Sequence, residues 1–370
     1  MKNFITIALF CIIAYTSCQS QDDNVLEFKK EICFPTGFWA GSSHSGVFYE
    51  DNEPYYYFAE LTSRKIIKIF DKDSKLVKEI SLKTQPYINM THSIYMPCMD
   101  SVIVMIGRPV QKVLVTNSKG ETLFEKYFQQ FVRTDSINYA LEAPMWLPSA
   151  YYNKNIYMIS NAYKQTGDET PAGQYAEIRN IANRQPRICQ INLQDSSLSP
   201  IYFGKNTLSK IYDNDTIEHD SWCEFHICNH YLFDVTHDYG KIAVFDLKTN
   251  TLVKVLEIKH NNKIAGMEQI KHGDLPYNKI YELSNKSWQI QTILWDQYKD
   301  SYYIFIAKSK KELVVQIFDK NLTFKKEIDI SKLRGPGWII DYYMTRDGLA
   351  IPSTDKKSSN ICYKVYDINI

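Results

Sequence analysis

A chain of 370 residues with 44% hydrophobic and 23% charged side chains has the make-up of a folded globular protein. Its 43 Lys and Arg balance 42 Asp and Glu, which excludes nucleic-acid binding by bulk charge. Aromatic residues reach 14%, with 27 Tyr against 14 Gly, a bias toward strands.

The chain opens on a targeting segment. Lys2 supplies the positive end, and Phe4 to Ala14 is an apolar run too short to span a bilayer. Tyr15–Thr16–Ser17–Cys18 places small residues before a cysteine and resembles a bacterial lipoprotein signal. We read residues 1–17 as signal peptide and Cys18 as the lipidated first residue of the mature chain. Residues 18–24 form an acidic tether, whose Asp22–Asp23 pair resembles the export signal of Bacteroidetes surface lipoproteins. An ordinary secretory signal followed by a solvated linker is the competing reading.

Residues 25–370 read as one domain of repeated strands. Blade one takes Tyr55 to Ala59, Lys65 to Phe70 and Leu76 to Leu82, with an inner strand near His44 to Phe48. Blade two takes Ser93 to Met96, Val102 to Ile106, Lys112 to Thr116 and Thr122 to Phe128. Blade three takes Ser149 to Tyr152, Ile156 to Ser160, Arg187 to Leu193 and Pro200 to Phe203. Blade four begins at Trp222 and blade five near Trp288. Blade six runs from Trp338 to Ile370. Each run is short, rich in β-formers and bounded by turn residues. An acidic or amide residue ends a strand at Asp71, Asn117, Asp195, Asp246, Asp319 and Asp367, a spacing suited to four-stranded units. Insertions at Asn161 to Pro186 and Glu257 to Lys286 interrupt it, and the first contains a predicted helix over Gln174 to Asn183.

Phe28–Lys29–Lys30–Glu31–Ile32–Cys33–Phe34 near the start almost repeats Phe324–Lys325–Lys326–Glu327–Ile328–Asp329–Ile330 near the end. The second follows a strand and turn that Cys362 to Ile370 copies without a partner strand. A six-bladed β-propeller whose last blade is completed by the strand Val25 to Phe34 accounts for both facts. Closure of this kind also removes sheet edges. Six cysteines lie beyond the signal. Cys223 and Cys228 fall on opposite faces of one strand. Closure brings Cys33 and Cys362 near each other in a diagonal register that permits a bond without requiring it, and we read these cysteines as buried thiols.

Candidate functional residues follow from the repeat. Trp39, Tyr87, Trp146, Trp222, Trp288 and Trp338 precede or open the inner strands. They are therefore candidates to ring the mouth of the central channel, where flat aromatic faces suit sugars and peptides. Packing between blades is the competing role. Glu224, Asp296 and Asp341 are inner-strand carboxylates, candidates for acid and base on a glycosidic bond or for structural hydrogen bonding. His219, His226, His230 and His237 cluster, but no cysteine or carboxylate completes a metal motif, so no metal is expected. Asp71–Lys72–Asp73 reads as a turn rather than a calcium loop. No phosphate loop, nucleophile elbow or zinc helix is present, and no cofactor is expected.

The Cys18–Gln19–Ser20–Gln21–Asp22–Asp23 start and the six-blade layout together resemble a family of Bacteroidetes lipoproteins of unknown function with a TolB-like propeller. The resemblance implies an envelope location, with outer-membrane attachment through Cys18 and a binding role, and it transfers no active-site residue. Three functions stay open: a glycan- or peptide-binding propeller, a polysaccharide hydrolase or lyase, and a scaffold subunit of an outer-membrane complex.

Overall fold

The computed structural model describes residues 25–38, 43–107, 110–127, 131–134, 137–141, 149–165, 175–177, 188–201, 223–236, 240–260, 263–264, 289–308, 312–333, 341–353 and 359–369. The chain starts with β1 (Leu26–Phe34). Blade one follows as β2 (Ser43–Glu50), β3 (Glu53–Glu60), β4 (Ile66–Phe70) and β5 (Leu76–Ser81). Blade two is β6 (Thr91–Cys98), β7 (Ser101–Ile106), β8 (Lys112–Asn117) and β9 (Thr122–Tyr127). A ribbon of β10 (Phe131–Thr134) and β11 (Ile137–Leu141) precedes blade three. That blade holds β12 (Ser149–Tyr152), β13 (Asn155–Gln165), β14 (Tyr175–Glu177), β15 (Ile188–Asn192) and β16 (Leu198–Ile201). Blade four is β17 (Cys223–Cys228), β18 (Tyr231–Thr236), β19 (Lys241–Asp246) and β20 (Thr251–Glu257). The small pair β21 (Lys259–His260) and β22 (Lys263–Ile264) follows. Blade five is β23 (Gln289–Asp296), β24 (Ser301–Ala307), β25 (Leu313–Asp319) and β26 (Phe324–Asp329). Blade six has β27 (Tyr343–Thr345), β28 (Gly348–Pro352) and β29 (Ile361–Ile368).

The strands of a blade pair antiparallel from inner to outer, and blade six runs β27-β28-β29-β1, so the first strand completes the last sheet. The protein is a six-bladed β-propeller with that closure. The middle strands are buried on both faces: every residue of β24 is buried, as are six of the seven in β25. This is why they read as unbroken apolar runs, while outer strands such as β5 are largely exposed. Each seam between neighbouring blades has its own core. At the closing seam Phe34 wedges among Tyr56, Phe58, Phe70 and Tyr363, with ring centroids 4.9 to 6.2 Å away.

The repeated acidic or amide position has a local cause. Asp71 Oδ1 accepts from the N–H groups of Asp73 and Lys75, Asn117 Oδ1 from those of Lys119 and Glu121, and Asp319 Oδ1 from those of Asn321 and Thr323. Each of these three turns ends on a left-handed residue, Ser74, Gly120 or Leu322, next to a register shift in the outer pair. That is a three-residue hairpin with a bulge. In blade three Asn192 holds the strand end, and Asp195 sits further round the turn, accepting from Ser197 N–H at 2.8 Å. Blade six has no such turn. Its Asp367 accepts instead from Lys299 Nζ at 2.6 Å.

Two expectations are corrected. Tyr175–Glu177 is a strand paired with the far half of β13, and residues 178–183 lie outside the described residues. The same half of β13 also pairs with β11, building blade three outward into a larger sheet. Pairing with an existing strand edge overrides the helix preference of Ala176 and Glu177. Cys33 and Cys362 are directly opposite and form a disulfide. A bulge between Phe28 and Lys30 advances the register by one residue, which turns the expected diagonal into a direct pair. Cys98 and Cys228 are free, and the Cys228 thiol donates to Ile293 O across the seam between blades four and five at 2.8 Å.

Candidate functional site

All inner strands run the same way, so the disc has two unlike faces. At the turn face, tight hairpins join strands inside blades. At the loop face, the inner strands begin, and from its strand ends both long insertions leave. Asp341 lies just before β27, on the loop face. Asp296 ends β23, on the turn face. The two carboxylates are thus at opposite ends of the ring and do not form an acid–base pair. Asp296 is a turn cap: its Oδ1 accepts from Tyr298 and Lys299 N–H at 2.8 and 3.2 Å. Burial raises its pKa above the usual aspartate value, against those hydrogen bonds. Glu224 lies on β17 opposite Val235.

Trp39, Trp146, Trp222, Trp288, Trp338, His219, His237 and Cys18 lie outside the described residues. Tyr87 is 49% exposed and left-handed at the start of a short 3-10 turn, Ile88–Met90. It lies within electrostatic reach of Tyr127, at the end of the outer strand β9. His226 ends up inside β17, and His230 beyond a turn at left-handed Asn229, so they are not two ligands on one strand face. Among the described residues no three His, Cys, Asp or Glu side chains converge as a metal would need.

The loop-face ends of blades six, one, two and three carry a polar arc of which the sequence singles out Asp341 alone. Ser45 Oγ, near the start of β2, donates to Asp341 Oδ2 at 3.5 Å. Burial pushes the Asp341 carboxyl up to about 6, with the Ser45 hydrogen bond pulling the other way. Asp341 is crowded by neighbours yet solvent-exposed, as expected of a group lining a channel. The buried Tyr343 and Tyr363 hydroxyls stand beside Ser45 and within reach of the Asp341 charge. On the other side of β2, half-buried His44 faces His92 of blade two. Burial, then the charge of His92, lowers the His44 pKa. Further round, the Tyr95 hydroxyl donates to Ser149 O, and the Ser93 and Ser149 hydroxyls bond to each other.

One placement device is visible. Gly46 pairs with Tyr57 across β2 and β3. A Cβ at Gly46 would lie 2.2 Å from the Tyr57 hydroxyl oxygen. The missing side chain lets the Tyr57 ring cross β2 and donate to Ile94 O of blade two at 2.9 Å. A signal for the arc does exist in the sequence: Ser43–His44–Ser45 and Thr91–His92–Ser93 occupy matching positions at the starts of neighbouring inner strands.

The arc combines a carboxylate acceptor that is exposed to solvent, hydroxyls that both donate and accept, and two imidazoles. This inventory can hydrogen-bond a ligand bearing several hydroxyl or amide groups. It defines a propeller with a polar channel mouth. Two solved structures share the ring. A member of the duf4221 family from Bacteroides vulgatus superposes with a TM-score of 0.63 at 16% identity, covering 93% of this chain and 98% of its own. A candidate exported protein from Bacteroides fragilis superposes with a TM-score of 0.50 at 10% identity, covering 95% of this chain and 98% of its own. At such identities the likeness speaks for the fold alone. No protein-family model matches the sequence, and no curated protein does.

Proposed function

We propose that this chain is an exported, lipid-anchored propeller that binds a glycan or peptide at the loop-face channel mouth without turning it over. The observation that carries this reading is the polar arc from Asp341 and Ser45 through His44 and His92 to Ser149. It spans four blades and stays open to solvent at Asp341. The six aromatics that precede or open the inner strands in the sequence are the candidate stacking partners for sugar rings. Anchoring rests on the Cys18 segment, and the Bacteroides fragilis neighbour, itself a candidate exported protein, supports an envelope location. A hydrolase would need a second carboxylate near Asp341 at glycosidase separation, and Asp296 does not supply it.

The test is intrinsic Trp fluorescence of the domain from Gln19 onward, titrated with a panel of glycans and peptides, with product formation assayed in the same tubes. A saturable change that is lost in Asp341→Asn and in Trp39→Ala or Trp338→Ala, with the fold intact, supports a binder. Product formation would replace this reading by the enzyme. Silence to every ligand would move the protein to the scaffold class.

A further inference from the structure

We propose that the turn face rests on the lipid bilayer, so that the channel mouth points away from the membrane. The inference rests on the anchoring reading of Cys18 and adds to it an orientation and a contact surface.

The first support is where the tether leaves the ring. Leu26 pairs with Ile368, and Asn369 N–H donates to Val25 O at 3.0 Å. Val25 is thereby fixed at the turn face, beside the end of β29. Seven residues, Cys18 to Asn24, separate it from the lipid. Fully extended they reach about 25 Å. Strand β1 alone, nine residues from turn face to loop face, is about 30 Å long. A tether starting at the turn face is therefore too short to pass the disc and lay the loop face on the bilayer.

The second support is the rim of that face. Phe28, Leu76, Leu123, Val253 and Phe324 each lie within the first three residues of an outer strand and are 45–62% exposed. Outer strands begin at the turn face, so five of the six blades carry an exposed apolar residue at the same edge. Three lysines at this edge are paired, Lys72 with Glu53 at 3.0 Å, Lys320 with Asp300 at 3.7 Å, and Lys325 of β26 with Asp319 at 2.9 Å, and the turns that carry Lys75, Lys119 and Lys248 also carry Asp71, Asp73, Glu121 and Asp246. A rim of apolar tips with neutralised charge suits the interfacial zone of a bilayer. It does not call for anionic lipid, because acidic residues in the same turns balance the lysines and leave no net positive field.

The test uses the full chain, recovered from membranes with its lipid and reconstituted in phosphatidylcholine vesicles carrying a headgroup quencher. A fluorescent non-natural residue is incorporated at Asn321 on the turn face or at Lys83 on the loop face. Quenching several-fold stronger at Asn321, and insensitive to salt, is expected. Equal or stronger quenching at Lys83 in a lipidated chain overturns the orientation and leaves the anchoring reading standing. A chain whose mass shows no lipid overturns both. Phe28→Asp combined with Phe324→Asp should reduce quenching at Asn321 several-fold while the chain stays vesicle-bound. Unchanged quenching would overturn the role of the rim.

Discussion

The hydroxyl of Tyr57 crosses its own sheet at Gly46 and bonds to the next blade, so the smallest side chain of β2 positions one of the largest of β3. Gly46→Ala puts a methyl where the phenol lies, inside a packed seam. The ring must leave, and Ile94 O loses its donor. A loss of about 3 kcal/mol is expected from overpacking together with the broken hydrogen bond. Tyr57→Phe removes the bond alone and should cost about 1 kcal/mol. Urea unfolding of both variants checks the order.

The Cys33–Cys362 bond closes a loop of 329 residues. In the loop-entropy model a link of this length contributes about 6 kcal/mol. Reduction should lower the urea midpoint without unfolding the ring, because the Phe34 wedge stays in place. Unfolding curves with and without reductant, and of Cys33→Ser, test this. An unmoved midpoint would mean that packing alone holds the seam.

Glu60 ends β3 and caps the turn that follows. Burial would raise its carboxyl, but hydrogen bonds from the Thr62 and Ser63 hydroxyls and from the Ser63 and Arg64 N–H groups outweigh burial and draw it down to about 2. The folded pKa lies below the ordinary value of 4.5. The stabilisation is therefore complete above about pH 4.5 and disappears as pH falls toward about 2. It amounts to about 3 kcal/mol. Glu60→Gln should show most of that loss at pH 7 and none near pH 2, read from thermal unfolding across pH.

Asp341 has the opposite sign. Its folded value of about 6 lies above the ordinary 3.8, so the folded state holds the proton more tightly. Its contribution falls as pH rises from about 4 to about 6. Asp341→Asn should melt higher than the parent at pH 7 and equal to it at pH 4. Screening by channel water keeps the gain below the unscreened value. If the carboxylate is the ligand's acceptor, affinity should rise around pH 6, where the folded carboxyl ionises, at the upper end of the interval in which stability falls.

Much of the ring was legible because its signals are local. The Asp–turn–bulge unit places a polar cap, a left-handed residue and an apolar strand within about ten positions, and buried middle strands read as apolar runs. What escaped depends on distant partners. β10, β11 and β14 are short and pair onto an overlong β13, which no local pattern announces. The disulfide turned on a single bulge at Lys29. The polar arc was hidden because Ser45, His44 and His92 look like ordinary strand residues until the ring sets Ser45 beside Asp341 and His44 opposite His92. Repeat position alone points the six aromatics to the mouth, and of them the structure describes Tyr87.

The pairing of β1 with β29 makes the earliest-made strand wait for the latest. Until residue 362 emerges beside residue 33, the closing seam has no partner and Phe34 has no socket. A nascent chain therefore cannot shut the ring, and contacts of such long range form slowly. The last blade thereby works as a proofreader of length: only a chain present from β1 through β29 can latch.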